Sequence, residues 1–227
     1  MANNINHIFK SKYDINNHSF NEFIEESGLP VPIQQNPWEL SILVEEYKKL
    51  KPTVTVEIGS YAGGTLWFWL KNAIENATIV SIDIFWHHQK NFGFDNDEEP
   101  LIFFNNLWSK WAKLSTNFKV FQLDSNNITT KNTLLKYLSN YTSLYGQRCI
   151  DFLFIDGNHD YNFVKKDFIL YGNLVKPGGI IVLHDIHESN LEVKLLWNEI
   201  VEAGYKTKQI YSPTGLEMGI GVVYIEE

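Results

Sequence analysis

The sequence predicts an α/β protein, a three-layer sandwich with a mostly parallel seven-stranded sheet that ends in an antiparallel hairpin. Two observations lead to this prediction. From residue 52 onward, short apolar runs rich in β-branched residues alternate with segments of helical periodicity. This alternation is typical of a parallel sheet covered by helices on both faces. Near the C-terminus two apolar runs are separated only by a turn, and strands joined so directly pair antiparallel.

The elements follow in order after a polar, Asn-rich start. We expect an N-terminal helical arm or cap over residues 1–51, with a helix at 38–50 that stops before Pro52. A main domain is expected over residues 52–227. Its parallel strands are predicted at 54–59, 78–84, 119–124, 150–156 and 179–184, its helices at 64–76, 101–115, 130–141, 161–175 and 191–203, and its hairpin strands at 205–211 and 218–225.

An insert at residues 85–100 follows the second strand and mixes aromatic with acidic residues. It lies at the carboxyl edge of the sheet, where ligands bind in folds of this kind. We therefore expect a lid over the site, with a decorated surface loop as the alternative.

Composition limits the class of protein. The 227 residues are 44% hydrophobic and carry a net charge of −8, which fits a globular domain and disfavours a nucleic-acid partner. A single cysteine, Cys149, excludes an intrachain disulfide framework. No apolar run reaches the roughly 20 residues of a membrane span, and the polar N-terminus is unlike a signal peptide. We expect a cytoplasmic protein with no membrane partner, and the 15% aromatic content suggests a homodimer or higher homo-oligomer.

A glycine-containing turn joins the first strand to the following helix. It reads EIGSYAGGT from Glu57 to Thr65, and glycines there let the backbone turn sharply and approach a ligand. The spacing is neither G-x-G-x-x-G nor a P-loop, so a pyrophosphate ligand and an NAD-dependent dehydrogenase are disfavoured. The turn can instead pack on the uncharged thioether and amino-acid part of S-adenosylmethionine. Its candidate cofactor-binding residues are Glu57, Gly59, Ser60, Tyr61, Gly63, Gly64 and Thr65.

Acidic residues also follow the second and third strands. Asp83 occupies the position where an acidic residue receives ribose hydroxyl groups, and Ile84 is placed to pack on adenine. Asp124, with Ser125 beside it, is placed to accept a hydrogen bond from the adenine amino group. A cap at a strand end is the alternative role of each aspartate.

Together these residues resemble the class I S-adenosylmethionine-dependent methyltransferases, from about residue 52 to the C-terminus. The resemblance implies a Rossmann-like fold with S-adenosylmethionine as cofactor. It also implies that Glu57 and Gly59 belong to the first cofactor motif, that Asp83 holds the ribose, and that Asp124 lies near the adenine.

A second group of candidate residues follows the fourth and fifth strands. Asp156 and His159 lie in the sequence DGNHDY, and His184 and Asp185 end the sequence VLHD. Adjacent parallel strands bring Asp156 and Asp185 together, and two carboxylates repel unless a cation or proton separates them. A divalent metal would satisfy them: oxygen ligands suit magnesium, which we expect, or calcium, and an added imidazole would also admit manganese or iron. His159 is placed to take a proton from a substrate hydroxyl.

These two motifs resemble one branch of the methyltransferases, the metal-dependent macrocin-type sugar O-methyltransferases and the cephalosporin-hydroxylase-like proteins. The branch implies a metal bound by Asp156 and by the pair after the fifth strand, here His184 and Asp185, with His159 as the base. Asp156 is also expected beside the cofactor. The acceptor would be a small hydroxylated molecule, such as a sugar or a natural-product intermediate. The stretch from Ile33 to Pro52 resembles the segment that leads into the first motif.

Three functions remain open from the sequence. The first is a metal-assisted O-methyltransferase, and the second is a metal-independent N- or C-methyltransferase. The third is a non-catalytic Rossmann-like binding or scaffold protein. Structural roles are also open for Asp156 and Asp185 as caps, and for His159 and His184 as hydrogen-bonded histidines.

Overall fold

The computed structural model describes residues 30, 31, 33–85, 93, 94, 96, 98–141, 146–213 and 218–226. In chain order the elements are α1 (Pro37–Leu50), β1 (Val54–Ile58), α2 (Gly64–Asn72), β2 (Thr78–Asp83), α3 (Glu98–Ser109), β3 (Asn117–Gln122), α4 (Ile128–Tyr137), a short 3-10 helix (Ser139–Tyr141), β4 (Ile150–Ile155), α5 (Tyr161–Gly172), β5 (Val175–His184), α6 (Leu191–Glu202), β6 (Lys206–Ile210) and β7 (Ile220–Tyr224). None of the helices in these ranges is long and apolar enough to cross a membrane.

The described strands form one seven-stranded sheet in the order β3-β2-β1-β4-β5-β7-β6. Strands β1 to β5 are parallel, and β7 pairs antiparallel with both β5 and β6. The predicted Rossmann-like α/β fold with a C-terminal antiparallel hairpin is confirmed. The strand order reverses between β1 and β4, and such a reversal opens a ligand-binding crevice at the carboxyl ends of the strands.

Helices cover both faces of the sheet. One core cluster joins α1, α2 and α3 to one face, and a second joins α4, α5 and α6 to the other. The strands supply both clusters by alternation: Phe152 and Phe154 face the first, whereas Leu153 and Ile155 face the second. Buried on both faces, β1 and β4 are nearly continuous apolar runs, as expected of central parallel strands.

Helix α1 begins one residue before its predicted start and has an N-terminal cap at Asn36. The Asn36 side chain accepts hydrogen bonds from the backbone N–H groups of Trp38 and Glu39, and Pro37 occupies the first helical position. Leu40 and Tyr47 are fully buried against the sheet. The helix predicted within the N-terminal arm therefore packs into the main core.

Three predicted boundaries need correction. Helix α3 begins at Glu98 rather than residue 101, because Asn96 accepts hydrogen bonds from the backbone of Glu98 and Glu99. The last residues of the predicted insert 85–100 are therefore helical. Strand β5 begins at Val175 rather than residue 179, since Val175 pairs with Ile150 before a register shift. Helix α3 also ends at Ser109 rather than residue 115. The other predicted ends differ from the observed ones by about one helical turn or less.

Parts of the predicted arm and insert lie outside the described residues. These are positions 1–29 and 32 of the arm, and positions 86–92, 95 and 97 of the insert.

Candidate functional site

A cavity of about 940 Å³ lies at the carboxyl ends of the parallel strands, near the upper end of the roughly 300–1,000 Å³ range of ligand pockets. The sheet register aligns the strand ends that line this cavity. Ile58 pairs with both Ile82 and Ile155, and Ile155 pairs with Leu183. The residues that follow these four strand positions consequently lie at one level. The cavity is lined by Ile33, Gln34, Gln35, Ile58, Gly59, Ser60, Tyr61, Gly64, Thr65, Ile82, Asp83, Ile84, Leu123, Asp124, Ser125, Asn126, Asp156, Gly157, Asn158, His159, Asp160, Phe163, His184, Asp185 and Met218.

The glycine turn lines the floor of this cavity. Gly59 has a φ of +81°, and a Cβ atom there would lie 2.2 Å from the backbone oxygen of Asp156. Only glycine allows β1 and β4 to approach each other so closely at this point. Gly64 opens helix α2, and a Cβ there would lie 2.8 Å from the Ile33 side chain.

Asp83 braces the turn from the end of β2. Its Oδ2 accepts hydrogen bonds from the backbone N–H groups of Ser60 and Tyr61, at 2.8 and 2.9 Å. Its Oδ1 accepts from the N–H of Phe85 at 2.6 Å. A carboxylate has about four acceptor positions, so the predicted ribose contact would share Asp83 with three backbone donors.

Two of the predicted cofactor-binding residues, Glu57 and Gly63, do not line the cavity. Glu57 is fully buried, and its Oε2 accepts a hydrogen bond of 2.5 Å from Trp69 Nε1 in helix α2. Burial raises the pKa of Glu57 to about 8, although the hydroxyls of Ser60 and Thr65 oppose the shift. Glu57 therefore lies beneath the turn and does not face the cavity.

The opposite end of the cavity is apolar with polar edges. Ile84, Leu123 and Phe163 line it and are 49%, 37% and 42% exposed. Asp124 and Ser125 follow β3 at the same end. Exposed apolar side chains beside a hydrogen-bond acceptor suit a flat heterocycle with an amino group.

The third group of residues is a carboxylate–histidine cluster at the ends of β4 and β5. One ligand atom from each of Asp156, His184 and Asp185 lies within 4.8 Å of the others. His184 Nδ1 lies 3.1 Å from Asp156 Oδ1 and 3.4 Å from Asp185 Oδ1. These are the three residues that the sequence predicts as metal ligands.

His159 closes the cluster on its exposed side. Its Nε2 lies 3.4 Å from Asp156 Oδ1, and its Nδ1 lies 3.4 Å from Asp185 Oδ2. The His159 side chain is 41% exposed, compared with 3% for His184. Of the two imidazoles, His159 is therefore the one that can exchange a proton with a ligand in the cavity.

The electrostatics of the cluster favour bound positive charge. Burial disfavours the charged form of Asp156, yet the neighbouring His184 and His159 lower its pKa to about 2. Burial also opposes the charge on His184, but the carboxylates of Asp156 and Asp185 raise its pKa to about 9. A hydrogen bond to Asp156 raises the pKa of His159, and burial raises that of Asp185.

Asp185 also has a strained backbone, with a φ of +60°. A non-glycine residue in the left-handed region costs free energy, and such residues are enriched at functional sites. This conformation directs the chain away from β5 just after His184, where Asp185 lines the cavity.

Sequence reasoning did not single out several cavity residues. Gln35 and Met218 come from segments far from the strand ends that supply the rest of the wall, and no spacing signal links them to the motifs. The aromatic ring of Phe163 reaches the cavity from the first turn of α5. Helical periodicity could not separate that role from ordinary surface exposure.

Comparison with known proteins identifies similarities to methyltransferases. Residues 56–186 match a family model described as a methyltransferase domain. The O-methyltransferase TomG from Streptomyces achromogenes, solved with S-adenosylmethionine, is 13% identical over 92% of this chain and 88% of its own, with a TM-score of 0.56. The methyltransferase PaMTH1 from Podospora anserina, bound to S-adenosylhomocysteine, is 16% identical over 98% and 93%, with a TM-score of 0.57.

A third solved structure, an O-methyltransferase from Bacillus cereus bound to S-adenosylhomocysteine, is 14% identical over 93% of this chain and 92% of its own, with a TM-score of 0.55. At these identities the likeness is one of fold. No curated protein matches the chain in sequence.

Proposed function

We propose a reaction for this chain from the premise that it belongs to the S-adenosylmethionine-dependent methyltransferases, whose methyltransferase-domain model matches residues 56–186. The proposed reaction is transfer of a methyl group from S-adenosylmethionine to a hydroxyl group of a small molecule, assisted by a divalent metal. Its main support is the cluster of Asp156, His184 and Asp185 beside the glycine turn.

The cavity fits the cofactor from end to end. Ile84, Leu123 and Phe163 offer an apolar surface for adenine, and Asp124 offers an acceptor for its amino group. The turn at Gly59 would face the amino-acid part of the cofactor. When bound, S-adenosylmethionine supplies a methyl group on a positively charged sulfur, and uncharged turn atoms can pack against it.

The cluster fits a metal by the chemistry of its donors. The two carboxylates suit magnesium, and the added imidazole also admits manganese or iron. The same carboxylates raise the pKa of His184, and they would stabilise a cation that replaces its proton. When bound, a divalent cation makes a nearby hydroxyl group easier to deprotonate. Asp156 and Asp185 would hold it, with His184 Nδ1 as the third ligand.

His159 is the residue placed to move the proton. It lies between Asp156 and Asp185 on the open side of the cluster. Its partial exposure lets it reach an acceptor hydroxyl in the cavity. The two carboxylates stabilise the imidazolium that forms when His159 takes the proton. The chain's contribution is therefore to orient the acceptor and to receive its proton.

A sugar or a natural-product intermediate is the proposed acceptor. The most specific support for this acceptor comes from the two motifs at Asp156 and Asp185, which resemble those of the macrocin-type branch. The neighbour TomG is described as involved in tomaymycin synthesis, which gives one example of this fold acting in a natural-product pathway.

One observation favours a second candidate, metal-independent methylation of an amine or a carbon. Each carboxylate in the cluster already has a histidine partner, so protons alone can balance the charge. Chelation separates the two candidates. Turnover that persists after treatment with a chelator would support the second.

Metal binding by the cluster can be tested by titrating Mn²⁺ into the protein saturated with S-adenosylhomocysteine. We expect Asp185→Asn to weaken Mn²⁺ binding at least about tenfold, because a carboxylate ligand becomes a neutral amide. Glu188→Gln is the matched control, since Glu188 is exposed and lies outside the cavity lining. Equal Mn²⁺ affinities in all three proteins would contradict the metal-assisted reaction.

A further inference from the structure

His184 has one ring nitrogen inside the carboxylate–histidine cluster and one outside it. Nδ1 lies 3.1 Å from Asp156 Oδ1 and 3.4 Å from Asp185 Oδ1. Nε2, on the far side of the ring, is buried and has no hydrogen-bond partner among the described residues. A histidine that binds a metal through one nitrogen almost always donates its other N–H to a carboxylate, a backbone carbonyl or a water. The group that receives Nε2–H therefore determines how His184 is held.

The His184 ring points toward the face of the sheet that helix α1 covers. Side chains two residues apart in a strand share a face, and Val182, two residues before His184 in β5, belongs to the core cluster that contains α1. The rings of His184 and Phe154, another member of that cluster, have centroids 6.4 Å apart. Because the His184 side chain is only 3% exposed, the partner of Nε2 is a protein group or a buried water.

Glu39 brings a carboxylate to this place from helix α1. It is fully buried and does not line the cavity. Its oxygens accept hydrogen bonds from the backbone N–H groups of Ser212 and Gly219, at 2.8 and 3.0 Å. Gly219 precedes Ile220, which is the register partner of His184 in the pairing of β5 with β7. The sheet therefore holds the Glu39 carboxylate beside the strand end that carries His184.

The charges of Glu39 and His184 act on each other. Burial opposes the charge on His184, whereas the carboxylates of Asp156, Asp185 and Glu39 raise its pKa to about 9. Burial raises the pKa of Glu39, and its backbone hydrogen bonds and the charge of His184 oppose that shift. Since Nε2 has no direct hydrogen bond to a described residue, this attraction acts across a separation that a water can bridge.

A single buried water would satisfy every polar group at this point. Buried waters typically make about three hydrogen bonds to groups that otherwise lack partners. His184 Nε2–H is a donor, and a carboxylate with one backbone donor on each oxygen, as in Glu39, can still accept. Gln35 Oε1 is a second acceptor: it is buried without a partner in the described part of the chain, and Gln35 Nε2 donates to the Asp156 carboxylate that His184 contacts. One donor and two acceptors match the capacity of one water molecule.

We propose that Glu39 is a positioning residue that receives the Nε2–H of His184 through a buried water and thereby keeps Nδ1 as the nitrogen that faces the metal. The inference rests on the proposed function, in which His184 is the third metal ligand. Only the tautomer with its proton on Nε2 leaves a lone pair on Nδ1. Glu39 thus orients a metal ligand from the side of the ring opposite to Asp156 and Asp185, without contacting the cavity.

The first measurement is a titration of Mn²⁺ into the wild type, Glu39→Gln and Tyr47→Phe. Glu39→Gln removes the negative charge with little change of shape, and we expect it to weaken Mn²⁺ binding about tenfold, the usual effect of removing a group that orients a metal ligand. Tyr47→Phe is the matched control, because it removes a buried hydrogen bond to Thr55 from the same helix about two turns away from Glu39. It should bind Mn²⁺ as the wild type does. Equal affinities of the wild type and Glu39→Gln would overturn the proposal.

The second measurement separates positioning from a general loosening of α1. His184→Asn keeps an oxygen near the position of Nδ1 but has no counterpart of Nε2. If Glu39 acts through Nε2, adding Glu39→Gln to His184→Asn should change Mn²⁺ affinity by less than about twofold, the usual limit for uncoupled sites. A tenfold loss in both backgrounds would show an effect that does not pass through His184, and it would overturn the proposal.

The tautomer of His184 supplies a third readout, which needs no metal binding by a variant. Nitrogen-15 NMR of the wild type saturated with Mg²⁺ and S-adenosylhomocysteine should show the proton of His184 on Nε2, with its signals assigned by their loss in His184→Asn. A proton on Nδ1 would overturn the proposal.

Metal binding by the wild type distinguishes this proposal from the proposed function. If the wild type binds S-adenosylhomocysteine but no Mn²⁺, the metal-assisted reaction fails and the role of Glu39 fails with it. If the wild type binds Mn²⁺ and Glu39→Gln binds it equally well, only the role of Glu39 is overturned. Equal binding of S-adenosylhomocysteine by the wild type, Glu39→Gln and Tyr47→Phe would show that all three are folded at the site.

Discussion

Gly59 sets the distance between the glycine turn and the end of β4. Its φ of +81° lies in the region that favours glycine, and a Cβ atom would lie 2.2 Å from the backbone oxygen of Asp156. The strain and the steric conflict are separate effects. Gly178 isolates the first, because its φ is +80° but a Cβ atom there would meet no described residue beyond its chain neighbours within 4 Å.

We expect Gly178→Ala to lower the free energy of unfolding by about 1–2 kcal/mol, the cost of the left-handed conformation. Gly59→Ala should cost about 1–3 kcal/mol more, because the backbone of β4 cannot move away freely. It should also weaken binding of S-adenosylhomocysteine. Urea unfolding and titration of both variants measure these effects. Equal losses of stability would show that the close approach to Asp156 is unimportant.

Asp167 is a buried acid that supports the turn after β3. It is 1% exposed, and its Oδ1 accepts a hydrogen bond of 2.8 Å from Asn126 Nδ2. Burial raises its pKa to about 7, although hydrogen bonds from Ser125 and Asn126 oppose the shift. Asn126 and Ser125 line the cavity, so Asp167 positions one wall of the site.

The raised pKa of Asp167 predicts a pH dependence of stability. Between about pH 4 and pH 7 the folded state retains a proton that the unfolded chain has released. Asp167 therefore lowers the free energy of unfolding as pH rises, by at most about 1.4 kcal/mol per pH unit. Asp167→Asn lacks this term and can still accept from Asn126. The free energy of unfolding of Asp167→Asn, relative to that of the wild type, should therefore increase from pH 4 to pH 7. If the two free energies change with pH in parallel, Asp167 is not protonated in the folded state.

At the scale of elements, helix α1 joins the N-terminal segment to the β6–β7 connection. Glu39 in α1 is fully buried, and burial raises its pKa. Its two carboxylate oxygens accept hydrogen bonds from the backbone N–H groups of Ser212 and Gly219, at 2.8 and 3.0 Å. Because Met218 lines the cavity, this contact links α1 to the wall of the site.

Removing the Glu39 carboxylate should be costly. Glu39→Ala leaves two buried backbone donors without partners, at about 1–3 kcal/mol each. Glu39→Gln retains one acceptor and should lose about half as much stability. The matched control is Glu45→Ala in the same helix, where an exposed pair with Lys48 contributes little. Chemical unfolding measures the free energy of unfolding of each variant. If Glu39→Ala is as stable as Glu45→Ala, the Glu39 contact does not stabilise the protein.

The site residues at the strand ends could be predicted because the carboxyl ends of parallel strands lie at one edge of the sheet. Asp83, Asp156 and Asp185 each follow an apolar run, and the sheet register brings them to the cavity. Glu57 shares the motif but lies on the opposite side of the turn. Alternation along β1 points its side chain toward Trp69, a distinction that the motif itself does not contain.

Gln35 and Met218 could not be predicted in the same way. Each reaches the cavity through a contact between segments that are distant in the chain. Gln35 contacts Asp156, and Met218 precedes Gly219, which contacts Glu39. Helical periodicity predicted α1 but not the direction of the residue before its cap. Likewise, the start of β5 depends on pairing of Val175 with Ile150, which local sequence does not specify.

At the scale of the whole molecule, the sheet order places two chemistries side by side. β1 and β4 are neighbours at the point where the order reverses, so the glycine turn lies next to Asp156. The glycine turn and the carboxylate–histidine cluster are therefore parts of one cavity. In the proposed reaction, this adjacency would let a bound methyl group and an acceptor hydroxyl meet within a single site.

Metal-assisted transfer is tested most directly by a crystal structure with S-adenosylhomocysteine and Mn²⁺, using anomalous scattering to locate the metal. We expect the adenine between Ile84, Leu123 and Phe163, the homocysteine sulfur over the turn at Gly59, and Mn²⁺ bound by Asp156, His184 and Asp185. A metal bound elsewhere, or no metal beside an ordered S-adenosylhomocysteine, would contradict metal-assisted transfer.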